Sequence, residues 1–175
     1  MLLGMAFGGG AVMANTNWDQ HWRDSYQNHV GYSAAVHNFH IFGEGQYMLP
    51  AYAGLMTLGW VFDDYLVPRG VGTWAEQTLR AAIVGAPPML LMQNVTGGSR
   101  PGDGTWGSHW HFFQDNNGVS GHAFMGALPF LTAARLTDRP LLKLGFFAGS
   151  MLTGWSRFSD DQHYMSQVML GWAMA

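Results

Sequence analysis

Residues 119–134 read VSGHAFMGALPFLTAA, in which a serine and a glycine come directly before a long apolar run. An Asn-Asn-Gly turn stands just ahead of this stretch, so the apolar run is predicted to be a helix that begins at Ser120 and Gly121. Free backbone N–H groups and the positive end of the helix dipole make such a helix start a place where anions bind. Serine is also a favoured N-cap, and for Ser120 alone an ordinary cap is the simpler interpretation.

Two further stretches place a basic side chain beside small or hydroxyl residues. Gly98-Ser99-Arg100-Pro101 contains the first, and Ser156-Arg157 followed by His163 contains the second. Together with His122 they supply two guanidinium and two imidazole groups. Guanidinium groups bind phosphate-like oxyanions in bidentate fashion, and two imidazoles can divide the roles of nucleophile and acid. If the chain brings these groups together, they would form a site for a phosphate-like anion.

In order and spacing, the three stretches resemble the three-part motif of the type 2 phosphatidic acid phosphatase (PAP2) superfamily. The family pattern is Lys-x6-Arg-Pro, then Pro-Ser-Gly-His, then Ser-Arg-x5-His-x3-Asp. This chain keeps the spacing throughout and differs in three residues. Gln93 replaces the lysine, Val119 replaces the proline that begins the second motif, and Gln167 replaces the final aspartate.

The resemblance implies an all-α fold, a six-helix PAP2/haloperoxidase-like bundle, with residues 1–175 as a single domain. It implies that His163 attacks phosphorus and forms a phosphohistidine, that His122 protonates the leaving alkoxide, and that Gln167 orients His163. It also implies that no metal or other cofactor takes part. The residues implied to bind the phosphate are Arg100, Arg157, Ser120, Gly121 and Gln93.

Gln167 is the most consequential of the three departures. On a helix, His163 and Gln167 would lie four residues apart on one face, so contact is feasible. An amide oxygen can accept the Nδ1–H of His163 and fix its tautomer, but it adds no negative charge to an imidazole that becomes cationic on attack. Activity lower than that of an aspartate-containing enzyme is therefore expected. Asp160 is an alternative partner for His163, although an Asp just ahead of a helix is more often its N-cap.

The composition predicts helices that pack closely or face lipid. Only 11% of the 175 residues are charged, less than half of the ~25% usual in soluble domains. No alternating strand pattern of useful length appears, so the apolar segments are predicted to be helices, with Pro87-Pro88 kinking or splitting the third. A further amphipathic helix is predicted over Trp18–Val30. The six apolar segments are 1–14, 47–62, 73–95, 121–134, 141–156 and 161–175.

Two observations disagree on whether these helices cross a membrane. Most segments have about 14–16 residues and would cover only ~21–24 Å of a ~30 Å hydrocarbon core. Against that, Arg135, Arg139 and Lys143 crowd the connection between the fourth and fifth segments, which favours a cytoplasmic connection. We expect a bundle in the bacterial inner membrane with its site on the periplasmic face. A helical enzyme outside the membrane is the alternative. Both ends stop within apolar runs, which suggests truncation.

The expected substrate is a lipid phosphate or diphosphate, of the phosphatidic acid or polyprenyl diphosphate class. A net charge of −3 gives no basic field, so nucleic acid is not an expected partner. The sequence has no cysteine, which excludes disulfides, thiolate metal sites and a cysteine nucleophile. It does not predict an oligomeric state.

Three alternatives stay open at this point. The resemblance extends to vanadium-dependent haloperoxidases, although Gln93 in place of lysine counts against that activity. Gln93 and Gln167 together are also compatible with a non-catalytic protein that binds lipid or phosphate. Finally, His37, His40 and Glu44 have a spacing compatible with a metal, but the glycines around Glu44 indicate that any helix ends there.

Overall fold

The computed structural model describes residues 2–62, 70–103 and 106–175, and the helices in these parts are joined by turns and loops without a strand. A 3₁₀ helix spans Asn38–Gly43. The α-helices are α1 (Leu2–Ala14), α2 (Trp18–His29), α3 (Ala34–His37), α4 (Gly45–Phe62), α5 (Val71–Thr96), α6 (Gly121–Leu136), α7 (Pro140–Gly149), α8 (Leu152–Ser159) and α9 (Met165–Met174).

The all-helical prediction is confirmed, and four of the six predicted segments correspond to single helices, α1, α4, α5 and α6. The sixth segment begins as a turn and becomes helical only at Met165. The predicted amphipathic helix is present as α2. It packs on the turn between α8 and α9, where its Arg23 Nε donates to Asp161 Oδ1 at 2.6 Å.

The fifth predicted segment, 141–156, is two helices rather than one. The break falls at Ser150, whose hydroxyl donates to the carbonyl of Phe147 at 2.6 Å and accepts the indole N–H of Trp172 at 2.8 Å. A serine side chain that bonds to the backbone competes with the helical ladder, and here it ends α7. The chain can then turn and present α8, which carries Arg157, to the centre of the molecule.

Pro87 and Pro88 do not split the third segment, because α5 runs unbroken from Val71 to Thr96. Each proline deprives the carbonyl four residues earlier of its donor. Those carbonyls belong to Ile83 and Val84, whose side chains are 64% and 75% exposed. On such an open side of the helix, the loss does not leave a buried acceptor without a partner.

Three helices meet at the centre through glycines, one for each pair. A Cβ at Gly126 of α6 would lie 2.2 Å from the hydroxyl of Thr153 on α8, and one at Gly154 of α8 would lie 2.5 Å from Val168 on α9. A Cβ at Gly171 of α9 would lie 2.2 Å from the carbonyl oxygen of Ser120 at the start of α6. The absence of side chains at these positions lets α6, α8 and α9 approach closely, and these helices carry or flank the second and third motifs.

No helix in the described part of the chain is both long enough and apolar enough to cross a lipid bilayer. Embedding of the bundle in a membrane stays a prediction.

Gly171→Ala should lower the free energy of unfolding by about 1–3 kcal/mol, because the new methyl group would collide with backbone that cannot rotate away. Gly145→Ala is the matched control. Gly145 lies within α7 with open space around its Cβ position, and alanine there should be neutral or stabilise the helix by up to ~1 kcal/mol. Chemical denaturation of both variants measures the difference, and equal stabilities would contradict the close α6–α9 contact.

Candidate functional site

The second motif lies at the start of α6, as the sequence predicts. Ser120 is the N-cap, and its Oγ accepts the N–H of Ala123 at 3.2 Å. Ser120 is fully buried, and its own N–H donates to the carbonyl of Gln167 at 2.9 Å. The ordinary cap is thus present, while the N–H groups of Gly121 and His122 have no hydrogen-bond partner among the described residues. Two free donors at the positive end of a helix suit an anion.

His163 lies in the turn between α8 and α9 and is only 3% exposed. Asp161 in the same turn has a φ of 56°, in the left-handed region, and its pairing with Arg23 holds it there. The Nδ1 of His163 lies 2.9 Å from Oε1 of Gln167. Because an amide oxygen only accepts, Nδ1 carries the proton and Nε2 keeps its lone pair. The His163–Gln167 contact that the sequence indicated is present, although His163 precedes the helix.

Gln167 also connects His163 to the first motif. Its Oε1 accepts the N–H of Tyr164 at 3.1 Å, and its Nε2 donates to the carbonyl of Ser99 at 2.8 Å. The side chain is 1% exposed, so all of these bonds lie in the interior. Asp160 is not the partner of His163, nor does it cap α9, because it lies at the C-terminal end of α8 and points elsewhere.

Arg100 is held by Asn117, which the sequence placed only in the Asn-Asn-Gly turn. Its Nε donates to Oδ1 of Asn117 at 2.8 Å. Asp115 accepts from Asn117 Nδ2 at 2.9 Å and from the hydroxyl of Ser99 at 2.7 Å. Burial alone would raise the pKa of Asp115, but these hydrogen bonds, that from the Asn116 N–H and the charge of Arg100 together lower the pKa. The sequence feature that could have identified these residues is the Asp-Asn-Asn-Gly run before the second motif.

Arg157 on α8 is 9% exposed. Its NH1 lies 3.6 Å from Oδ2 of Asp160, which also accepts from Nδ1 of His37 at 2.8 Å. The Nε of Arg157 is buried and has no hydrogen-bond partner among the described residues. A buried guanidinium donor without an acceptor is costly, so this nitrogen is available to an anionic ligand.

Gln93 lies beside the second motif. Its Nε2 donates to the carbonyl of Val119 at 2.8 Å, and the Cβ position of Gly121 is 3.3 Å from the same nitrogen. The amide therefore links α5 to the chain just before α6, and one of its two N–H donors is already used. A lysine at this position would bring a charge that the amide does not.

The three residues of the possible metal site, His37, His40 and Glu44, do not come together. His37 pairs with Asp160, the Nδ1 of His40 donates to the carbonyl of His37 at 2.7 Å, and Glu44 faces His122. In the parts of the chain that the structure describes, no three His, Asp or Glu side chains come together in a way that could hold a metal ion. Glu44 belongs instead to the surroundings of His122, with its Oε1 3.1 Å from Nε2 of that histidine.

The charges of Arg100 and Arg157 act on both histidines, so the four side chains lie close enough to interact electrostatically. Burial lowers the pKa of His163 to about 3; the Gln167 hydrogen bond acts in the opposite direction, and both arginines add to the lowering. Burial also lowers the pKa of His122, where the Glu44 hydrogen bond opposes it and the arginines again add to it. We call Arg100, His122, Arg157 and His163 the candidate site.

Two guanidiniums, two imidazoles and a helix start whose first N–H groups have no partner among the described residues form a site suited to a phosphate-like anion. A model of the PAP2 superfamily matches residues 84–175, just over half of the chain, and this segment includes all of the residues predicted above to bind phosphate or to act in catalysis. The chain belongs to the PAP2 superfamily, whose members are generally phosphatases. No curated protein and no solved structure matches the chain significantly.

The low pKa of His163 predicts a pH dependence of stability. An unfolded histidine titrates near ~6.5, whereas the folded value is about 3, so the unfolded state binds the proton first as the pH falls. The stability from burying a neutral His163 is complete above ~6.5 and is lost as the pH falls towards 3.

Between pH 7 and pH 4, wild type should therefore lose on the order of 3 kcal/mol of unfolding free energy that His163→Asn does not lose. The matched control is His29→Asn on exposed α2, which should follow wild type. Chemical denaturation across the pH range measures this, and parallel curves for wild type and His163→Asn would contradict it.

A second prediction concerns Gln167→Glu. The carboxylate cannot donate to the Ser99 carbonyl, so the unfolding free energy should fall by roughly 1–3 kcal/mol. Its negative charge beside Nδ1 should raise the pKa of His163 above its value of about 3. Denaturation and NMR titration of the imidazole measure the two effects, and a variant as stable as wild type would show that the Ser99 bond contributes nothing.

Proposed function

We propose that this protein hydrolyses a lipid phosphate or diphosphate, of the phosphatidic acid or polyprenyl diphosphate class, through a phosphohistidine on His163. The observation that carries the proposal is the buried Nε of Arg157, which has no partner within the described residues, in a site that also contains Arg100, His122 and His163. Membership of the PAP2 superfamily supports phosphatase chemistry in general. The substrate and the roles of the residues are the proposal.

In this proposal the phosphoryl oxygens bind to Arg100, to Arg157 and to the free N–H groups of Gly121 and His122. Arg157 is held from one side by Asp160, so its remaining N–H donors are available to the substrate. The hydroxyl of Ser120 accepts the cap bond, and its own hydrogen is available to a phosphoryl oxygen. Such preorganised donors stabilise the charge of the transition state, where phosphoryl-transfer enzymes gain most of their rate.

His163 is the nucleophile. Its proton is on Nδ1, bonded to Gln167, so the lone pair of Nε2 is available to attack phosphorus. A pKa of about 3 keeps the ring neutral at any ordinary pH. The Gln167 hydrogen bond by itself favours the protonated ring, but an aspartate in its place would add a negative charge and favour that form more strongly.

His122 is the acid in the first step and the base in the second. As the bond between phosphorus and Nε2 of His163 forms, the bond from phosphorus to the leaving oxygen breaks, and His122 gives that oxygen its proton. A water molecule then attacks phosphorus and passes a proton to His122. The phosphorus–nitrogen bond breaks, and inorganic phosphate and the starting enzyme are restored. Because two arginines supply the positive charge, we expect activity to persist in a chelator.

The amphiphilic substrate is supported by the surface around the bundle. Large apolar side chains are exposed on several helices, among them Val84 at 75% and Leu141 at 82%. Exposed apolar side chains in this number suit contact with lipid or detergent. His122 and Arg135 lie at opposite ends of α6, roughly 20 Å apart along the helix. If the basic α6–α7 connection faces the cytoplasm, as we propose, the site faces the outer side of the bacterial inner membrane.

A purified preparation in detergent, assayed with phosphatidic acid, a polyprenyl diphosphate and 4-nitrophenyl phosphate, tests the proposal. His163→Asn should lower kcat by more than about 10³-fold, because it removes the nucleophile. His122→Asn should lower it by about 10²–10⁴-fold on the lipid substrates. His29→Asn is the matched control and should retain the wild-type rate.

Rapid acid-free quenching with ³²P-labelled substrate should leave label on wild-type protein and none on His163→Asn. Hydrolysis by wild type and His163→Asn at equal rates would overturn the catalytic assignment. Phosphate binding without turnover would instead support the non-catalytic alternative. Halide oxidation in the presence of vanadate would support the haloperoxidase alternative.

A further inference from the structure

Glu44 lies between the 3₁₀ helix and α4, well outside the segment that matches the family model. Its carboxylate reaches His122 at the start of α6, with Oε1 3.1 Å from Nε2 and both side chains about three-quarters buried. Gly43 makes this approach possible, because a Cβ there would lie 2.7 Å from the carbonyl oxygen of His122. A residue larger than glycine would push Glu44 away from the histidine.

The contact with Glu44 decides which nitrogen of His122 is free. A carboxylate only accepts, so Nε2 carries a proton that points at Glu44. The Nδ1 of His122 has no hydrogen-bond partner among the described residues. When the ring is protonated, Nδ1 carries the second proton and is the atom that can pass it on.

Glu44 is also the group that favours the protonated ring. The charged or titratable groups around His122 are Arg100 from the loop, Arg157 from α8, His163 from the turn and Glu44. Burial lowers the pKa of His122 most, the two arginines lower it further, and the Glu44 hydrogen bond and charge raise it. Without the carboxylate, burial and the two arginines would all act against the protonated ring.

We propose that Glu44 is a positioning residue that holds His122 by Nε2 and favours its protonated form, so that Nδ1 delivers the proton to the leaving oxygen. This inference rests on the proposed phosphatase function. In the first step the proton on Nδ1 moves to the leaving oxygen as its bond to phosphorus breaks, while Nε2–H stays on Glu44. In the second step Nδ1 takes a proton from the attacking water.

Glu44→Gln tests this, because it keeps the shape and removes the charge. Glu76→Gln is the matched control, since Glu76 pairs with Arg80 on α5, 2.6 Å away. With a phosphate ester of an alkyl alcohol, which needs the acid, Glu44→Gln should lower kcat about tenfold or more. With 4-nitrophenyl phosphate, whose leaving anion is stable, the loss should stay under about threefold.

The pH–rate profile should change in one direction. The acid must be protonated, and loss of a neighbouring carboxylate lowers the pKa of His122 by roughly one unit or more. The alkaline limb for the alkyl ester should therefore move to lower pH in Glu44→Gln and stay in place in Glu76→Gln. In a His122→Asn background, Glu44→Gln should have no further effect on kcat. Equal losses on both esters with an unmoved profile would show a merely structural role and overturn the proposal.

NMR titration of ¹³C-labelled histidines separates this inference from the proposed function. If wild type hydrolyses no phosphate ester and His163 takes no label, the proposed function fails, and with it the role of Glu44 in proton delivery. The titration then still decides the Glu44–His122 pairing. A pKa of His122 that falls by about one unit in Glu44→Gln supports the pairing, and an unchanged value overturns it in either case.

Discussion

Four hydrogen bonds of Gln167 join the three motifs into one site. Its Oε1 accepts from Nδ1 of His163 and from the N–H of Tyr164, its Nε2 donates to the carbonyl of Ser99, and its backbone carbonyl accepts from the N–H of Ser120. An aspartate could accept from the histidine, but it could not donate to Ser99. Because all four bonds are buried, losing any of them would leave an interior polar group without a partner. The departure from the family pattern thus coincides with a structural link between the first and third motifs.

The two histidines have partners of different charge. His163 bonds to a neutral amide and is almost completely buried, so the pKa falls to about 3. His122 bonds to a carboxylate and is more open, so burial is partly opposed. Burial lowers the pKa of both rings, and only that of His122 is opposed by a carboxylate, which suits the proposed roles of neutral nucleophile for His163 and acid for His122. The charge of the two arginines acts against protonation of both rings, and at His122 the carboxylate of Glu44 opposes it.

The part of the chain that precedes the family match completes the site. Arg23 on α2 pairs with Asp161 in the turn that carries His163, and Asp19 on the same helix accepts from the N–H of Ser166 at the start of α9, at 2.9 Å. Glu44 reaches His122, and His37 reaches Asp160 beside Arg157. The N-terminal helices therefore do more than cover the bundle, because their polar side chains contact the turn and helix ends that position the motif residues.

Local sequence patterns predicted much of the fold and of the candidate site. The Asn-Asn-Gly turn, Ser120 and the apolar run predict the start of α6 correctly, because a cap and a helical period act within a few residues. The motif spacing brought Arg100, His122, Arg157 and His163 forward as a group, and the spacing of His163 and Gln167 indicated their contact. The prediction failed where a nonlocal contact decides the outcome. The break at Ser150 depends partly on Trp172, and Asp160 turns to His37 rather than to His163.

The sequence by itself determined where most of the helices form and which side chains are candidates for the chemistry, since propensity, capping and spacing are properties of neighbouring residues. Only the tertiary structure decided how those side chains are held. Glu44 and His122 are 78 residues apart in the chain, and Gln167 and Ser99 are 68 apart. No local pattern encodes such pairs, because they exist only where close packing of helices through Gly43 and Gly171 brings distant backbone together.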